Sequence, residues 1–183
     1  MKRILILLIG ILFLCGGALA EDAGHIETRF EDFTLRTPAG LEYAGEKADG
    51  QVLFMYYPSR EANVSMAAVN AIWYDRDNPP TPAQLTEFCR KSEDRIRIQY
   101  ESGGYRLKSF EVGEPREITL WGLSSLCCDT RMLVGISDTD TSLCQRVICV
   151  SGDFGTYLFS ISAWSDDLLE EAAGSLADAV QWN

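Results

Sequence analysis

The chain has 183 residues, 46% of them hydrophobic, with 27 acidic against 16 basic side chains and a formal net charge of −11. So acidic a surface repels phosphate backbones and anionic lipid, which excludes nucleic acid and an anionic membrane as natural partners. The chain's one histidine, His25, weighs equally against a Ser-His-Asp or Cys-His hydrolase and against a histidine zinc centre.

In chain order, Lys2-Arg3 is a short positive region and Ile4–Cys15 an apolar run interrupted only by Gly10. Ala18-Leu19-Ala20 then supplies small residues at the −3 and −1 positions of a cleavage site, so residues 1–20 read as an export signal. The apolar run is shorter than the ~20 residues a spanning helix needs, which predicts no membrane insertion once the signal is cut. Phe13-Leu14 ahead of Cys15 is the wrong context for an acylated cysteine. Residues 21–183 have the length of a single domain, and residues 21–31, polar and containing His25, read as a loose tail.

Phe33–Thr37 alternates and stops at Pro38, which predicts an edge strand. Leu41–Gly45 reads as a short strand and Val52–Tyr57 as a continuous apolar one ending at Pro58. Val64–Tyr74 is apolar on both faces, the pattern of a strand in the middle of a covered sheet. Thr81-Pro82-Ala83-Gln84 is a capping box, an N-cap threonine with proline at N1 and glutamine at N3. Leu85, Phe88, Cys89, Ser92, Ile96 and Tyr100 follow at helical spacing, and Ser102-Gly103-Gly104 ends that helix.

Tyr105–Val112 and Arg116–Trp121 read as strands joined through Gly113-Glu114-Pro115. Leu123–Val134, Ser142–Ser151 and Gly155–Trp164 read as a three-strand meander with turns at residues 137–141 and 152–155. Ser165 with Asp166 and Asp167 starts a closing helix, whose buried stripe is Leu168/Leu169, Ala172, Leu176 and Ala179/Val180. Trp182 lies just past it. The sum is an α+β domain: an antiparallel sheet of about six to seven strands flanked by two main helices.

Phe33-Thr34-Leu35-Arg36-Thr37-Pro38-Ala39-Gly40, the middle helix, the long hairpin and the ending Val180-Gln181-Trp182 together resemble the PsbP-like fold family. That group takes in the photosystem II extrinsic protein, bacterial DcrB-like envelope proteins and a Ran-binding import factor. The resemblance covers most of residues 30–182 in element order. It implies a sheet sandwiched between helices and a binding or assembly role without catalysis, with no catalytic motif to carry over. Its members' partners differ too much for any one to be transferred.

The cysteines left after export are Cys89, Cys127, Cys128, Cys144 and Cys149, an odd number for an oxidising compartment. A hairpin turning near Asp138–Thr139 would bring Cys149 opposite Cys127 or Cys128. Cys128 is favoured as its disulfide partner because it shares the more apolar face with Leu126, Thr130, Met132 and Val134. Cys89, on the buried stripe of the helix, could reach Cys144 or the unused member of the vicinal pair. The competing reading makes Cys127-Cys128 a redox or soft-metal site. Neighbours on a strand point to opposite faces, and no Cys-x-x-Cys is present, so structural use is favoured.

Asp153-Phe154-Gly155 mimics a kinase tripeptide without the loop that must precede it. Asn63-Val64-Ser65 is a glycosylation sequon. Asp75/Asp77/Asn78 and Asp138/Asp140 lack the glycine and distal glutamate of a calcium loop and read as turn residues. Tyr56, Tyr57, Trp73, Tyr74, Trp121 and Trp164 read as packing residues, some of which could line a groove. The expectation is therefore a periplasmic or secreted, non-enzymatic domain with a protein partner. No catalytic, cofactor-binding or metal residue is assigned, and no cofactor. The alternative function is thiol-dependent redox or soft-metal binding through Cys127 and Cys128.

Overall fold

The structure is a computed structural model that describes residues 27–29, 32–36, 41–48, 52–58, 67–73, 79–136 and 138–183. The export signal, His25, the sequon and the Asp75/Asp77/Asn78 group lie outside them.

Three short strands form one small sheet: β1 (Glu27–Arg29), β2 (Phe33–Arg36) and β11 (Val180–Trp182), in the order β1-β2-β11. Strands β3 (Leu41–Ala48) and β4 (Val52–Pro58) pair as a hairpin. The main sheet is antiparallel, with β5 (Ala67–Trp73), β10 (Gly155–Ala163), β9 (Thr139–Gly152), β8 (Leu123–Ile136) and β6 (Arg106–Val112) in that order. Strand β7 (Arg116–Leu120) pairs with the first half of β8, and β6 with the second half. Helices α1 (Pro82–Ser102) and α2 (Asp166–Ala179) cover opposite faces. This is the expected α+β sandwich.

Helix α1 begins as its sequence dictates. The Thr81 side chain accepts from the Gln84 N–H at 3.3 Å, and the Gln84 side chain accepts from the Thr81 N–H at 2.8 Å. Leu85, Cys89, Ser92, Ile96 and Tyr100 are buried, and burial pushes the Tyr100 hydroxyl up to about 12. Ser165 caps α2 through the Leu168 N–H.

Four expectations need correction. Glu27–Arg29, assigned to a loose tail, is β1, and it pairs with β2. Strand β2 is therefore the middle strand of its sheet, not an edge. Val180 leaves the helix and opens β11, where Val180 pairs with Leu35 and Trp182 with Phe33. Among the described residues β5 is the last strand in the pairing order of the main sheet and not in its middle, with β4 alongside it.

Strand alternation sorts the main sheet into two chemistries. Towards α2 lie Cys127, Cys144, Ile148, Val150, Tyr157, Phe159, Ile161 and Ala163, packed with Phe33, Leu35 and the α2 stripe. Towards α1 lie Cys128, Val147, Cys149 and Leu158 under Leu85 and Cys89, and further along Leu107, Met132, Val134 and Leu143 under Ile96 and Tyr100.

Candidate functional site

The β8–β9 hairpin fixes the cysteines. Its register runs from Ser125↔Val150 to Ile136↔Thr139, a tighter turn than residues 137–141 were expected to make. The pairing is displaced by two residues from the expected one. Cys149 therefore stands opposite Leu126, and Cys128 opposite Val147, which corrects the placement of Cys149 against Cys127 or Cys128. All five cysteines are buried free thiols. Cys127 and Cys144 belong to the α2 side, and Cys89, Cys128 and Cys149 to the α1 side.

Burial pushes the thiols of Cys127, Cys144 and Cys149 up to about 11 each. At neutral pH such groups are thiols, poor nucleophiles and poor metal ligands. The vicinal pair does not form one site, since Cys127 and Cys128 sit in different cores. Cys89 and Cys128 do meet. The neighbouring Cys128 sulfur raises the Cys89 pKa and Cys89 lowers that of Cys128, whose S–H donates to the Gly113 carbonyl at 3.4 Å.

A charged lattice holds α2 to its face. Arg146, 7% exposed, donates through Nε and Nη2 to both Asp129 oxygens at 2.8 and 2.9 Å. Its Nη1 and Nη2 also reach Glu170 of α2 at 3.0 and 2.6 Å. Arg116 reaches Asp129 at 3.2 Å, and Arg131 bridges both Asp166 oxygens at 3.2 Å. Hydrogen bonding to these guanidinium groups holds Asp166 and Glu170 below the usual carboxylate range.

At one end of the molecule the α2-side core opens into aromatic rings carried by separate elements: Phe33 on β2, Trp121 between β7 and β8, Phe154 between β9 and β10, Tyr157 and Phe159 on β10, and Trp182 on β11. Phe154 and Trp182 stack with centroids 4.1 Å apart, and Trp121 meets Phe159 at 5.3 Å and Trp182 at 5.5 Å. Tyr157 donates to Asp32 at 2.5 Å. Trp121, Phe154 and Trp182 remain half-buried.

Trp121 is strained. Trp121 and Gly122 form the two-residue turn between Leu120 and Leu123, with φ of 54° and 76°. Such turns need positive φ at both positions and favour Asn-Gly or Gly-Gly. A bulky residue there costs about 1–2 kcal/mol. The ring offsets this by packing on Phe159 and by donating Nε1–H to the Ala177 carbonyl at 2.7 Å, one of the four carbonyls the α2 terminus leaves without a helical partner. Strain retained at an open aromatic cluster is a mark of a functional surface. Sequence reading named Trp121 as a strand residue. The Trp-Gly pair was the available turn signal, obscured because tryptophan is foreign to it.

Beside Trp121 runs β7. Alternation turns Ile118 and Leu120 towards the α2 side, where both are half-buried. Among the described residues β7 pairs only with β8, so its outer backbone edge is open. Exposed Glu111, Glu114 and Glu117 follow that margin, and none forms an ion pair among the described residues.

No family model matches the chain, and no curated protein matches it. Solved structures do. LpqN, involved in cell envelope biogenesis of Mycobacterium tuberculosis, is 13% identical with a TM-score of 0.42, over 87% of this chain and 91% of that one. A cyanobacterial PsbP from Synechocystis is 14% identical with a TM-score of 0.47, over 91% and 98%. A point mutant of Mog1 is 11% identical with a TM-score of 0.46, over 87% and 96%. PsbP is the family the sequence resembles. No helix among the described residues is long and apolar enough to cross a membrane.

Proposed function

We propose that this is an exported, non-enzymatic binding domain that docks a protein partner on the margin formed by β7 and Trp121. The open backbone edge of β7 beside a half-buried apolar row carries this reading. An extended polypeptide can add a strand to such an edge through main-chain hydrogen bonds and seat alternate side chains against Ile118, Leu120 and Trp121. Half-exposed aromatics are the residues that anchor protein interfaces. The three glutamates select for basic residues in the incoming segment. The leader at residues 1–20 supports an envelope or secreted setting.

A photocrosslinking amino acid at exposed Thr119, in the full exported chain, tests this. One discrete crosslinked protein is expected from Thr119 and none from Asp94 on the exposed side of α1. Glu117→Lys, which places a blocking lysine on the edge and reverses its charge, should lower that yield at least about tenfold with Tm unchanged. Equal crosslinking from Thr119 and Asp94, or full yield from the variant, would remove the β7 margin as the docking surface.

A further inference from the structure

We infer that the partner segment pairs antiparallel with β7 through the main-chain groups of Glu117 and Thr119, and that it reads, from its N-terminal end, apolar, any residue, apolar, basic. This rests on the proposed docking margin and names what that margin recognises.

The β7–β8 register decides which backbone groups face out. Trp121 and Gly122 form a two-residue turn, so the flanking Leu120 and Leu123 turn their N–H and C=O groups towards each other. Main-chain direction alternates along a strand. Ile118↔Ser125 and Arg116↔Cys127 therefore also bond inward, and Glu117 and Thr119, opposite Leu126 and Ser124, direct their N–H and C=O away from β8. A separate hydrogen bond agrees with this parity. The Gly113 N–H donates to the Asp129 carbonyl at 2.8 Å, so Asp129, and with it Cys127, Ser125 and Leu123, offers its main chain to this side of β8.

Further along the same edge β6 is covered. Leu107, opposite Val134, points outward by the same parity, and its carbonyl accepts from Arg97 Nη1 of α1 at 3.1 Å. No described side chain does this for β7, which leaves Glu117 and Thr119 as the place where a strand can be added.

Every pairing in the main sheet is antiparallel, and antiparallel ladders are the more stable per residue. In that direction the residues opposite Glu117 and Thr119 exchange both main-chain bonds with them. Those opposite Leu120 and Ile118 form the other kind of pair, in which side chains come closest. Their side chains lie on the α2 side beside half-buried Ile118, Leu120 and Trp121, so apolar residues fit there. The residue opposite Glu117 shares the other face with its exposed carboxylate, and the segment then runs on past Glu114 and Glu111. A lysine or arginine fits there, and it follows the apolar pair in sequence.

The test keeps a photocrosslinking amino acid at Thr119 in the full exported chain and compares Glu117→Gln with Glu117→Pro. The first removes the charge and keeps the N–H. The second removes both, and proline is tolerated where an edge N–H faces solvent. E117P should give at least about tenfold less crosslink than E117Q, at the same Tm. Fragmentation of the crosslinked partner peptide should show two apolar residues at alternate positions followed by a lysine or arginine. Equal yields from the two variants would reject strand addition and keep the margin as a docking surface. No crosslink from the unsubstituted chain would remove the margin and this inference with it. A basic residue ahead of the apolar pair would overturn the antiparallel direction. Hydrogen exchange in the free chain checks the edge without a partner. The Glu117 and Thr119 amides should exchange at least about tenfold faster than those of Ile118 and Leu120. The reverse order, or a Tm loss from E117P matching that from Ile118→Pro, would turn these groups inward and overturn the proposal.

Discussion

Replacing Arg146 with alanine is expected to destabilise the fold by about 3–5 kcal/mol, a large share of the roughly 5–15 kcal/mol that holds a domain together. Arg146 is 7% exposed and holds two carboxylates at once, Asp129 beneath α2 and Glu170 on it. Its loss leaves Asp129, whose side chain is 23% exposed, with only the longer contact from exposed Arg116. Glu170→Gln should cost less than about 1 kcal/mol, because that partner is 67% exposed and solvent screens it. An apolar pair, Asp129→Leu with Arg146→Met, should recover much of the alanine loss, since neither charge then needs desolvating. Urea midpoints with unchanged slopes would measure all three. Equal losses from R146A and E170Q would show that Arg146 is not the centre of the lattice.

The same lattice sets the acid response. The folded pKa values of Asp166 and Glu170 are depressed, so their contribution is fully present above the unfolded carboxylate range and is lost as pH falls through the folded values. Thermal stability should therefore be level above about pH 5 and fall below it. E170Q should shallow that fall, and an unaltered slope would place the titration elsewhere.

What could be read in the sequence was whatever one segment decides alone. The Thr81–Gln84 box, the stripe from Leu85 to Tyr100, the Ser165 cap and the three meander strands each follow from local spacing, and all are present. What could not be read depends on which segments meet. Val180-Gln181-Trp182 continues an apolar helical stripe, and only β2, nearly 150 residues earlier, makes it a strand. The cysteines divide the same way. Cys89 on the buried stripe was legible, whereas its meeting with Cys128 depends on how α1 lies across the sheet. A two-residue displacement in one hairpin was enough to take Cys149 away from Cys128, though both kept their face. The aromatic end, built from five elements, left no local trace beyond a tryptophan in an unsuitable turn.

That end should also be where the fold is least tolerant of a void. Phe159→Ala is expected to cost about 3–5 kcal/mol, the range for emptying a buried aromatic position. Phe159 is 0% exposed and lies mid-strand between Ile148 of β9 and Ala71 of β5. It meets Phe33 at 5.9 Å and Trp121 at 5.3 Å. These contacts come from β2 and from the β7–β8 turn, so the site cannot collapse by moving one element. The small sheet and the strained turn would both have to shift. Phe159→Leu retains most of the volume and should cost less than half as much. Trp121 supplies a second readout. If Phe159 supports its ring, F159A should weaken the contact with Ala177 and red-shift tryptophan emission under native conditions, before any unfolding. A destabilised F159A with unchanged native emission would mean that Trp121 is held by α2 alone. The proposed docking margin would then be independent of the core beneath it. A shift in both would mean that the packing of β10 sets the geometry of the surface proposed to receive a partner.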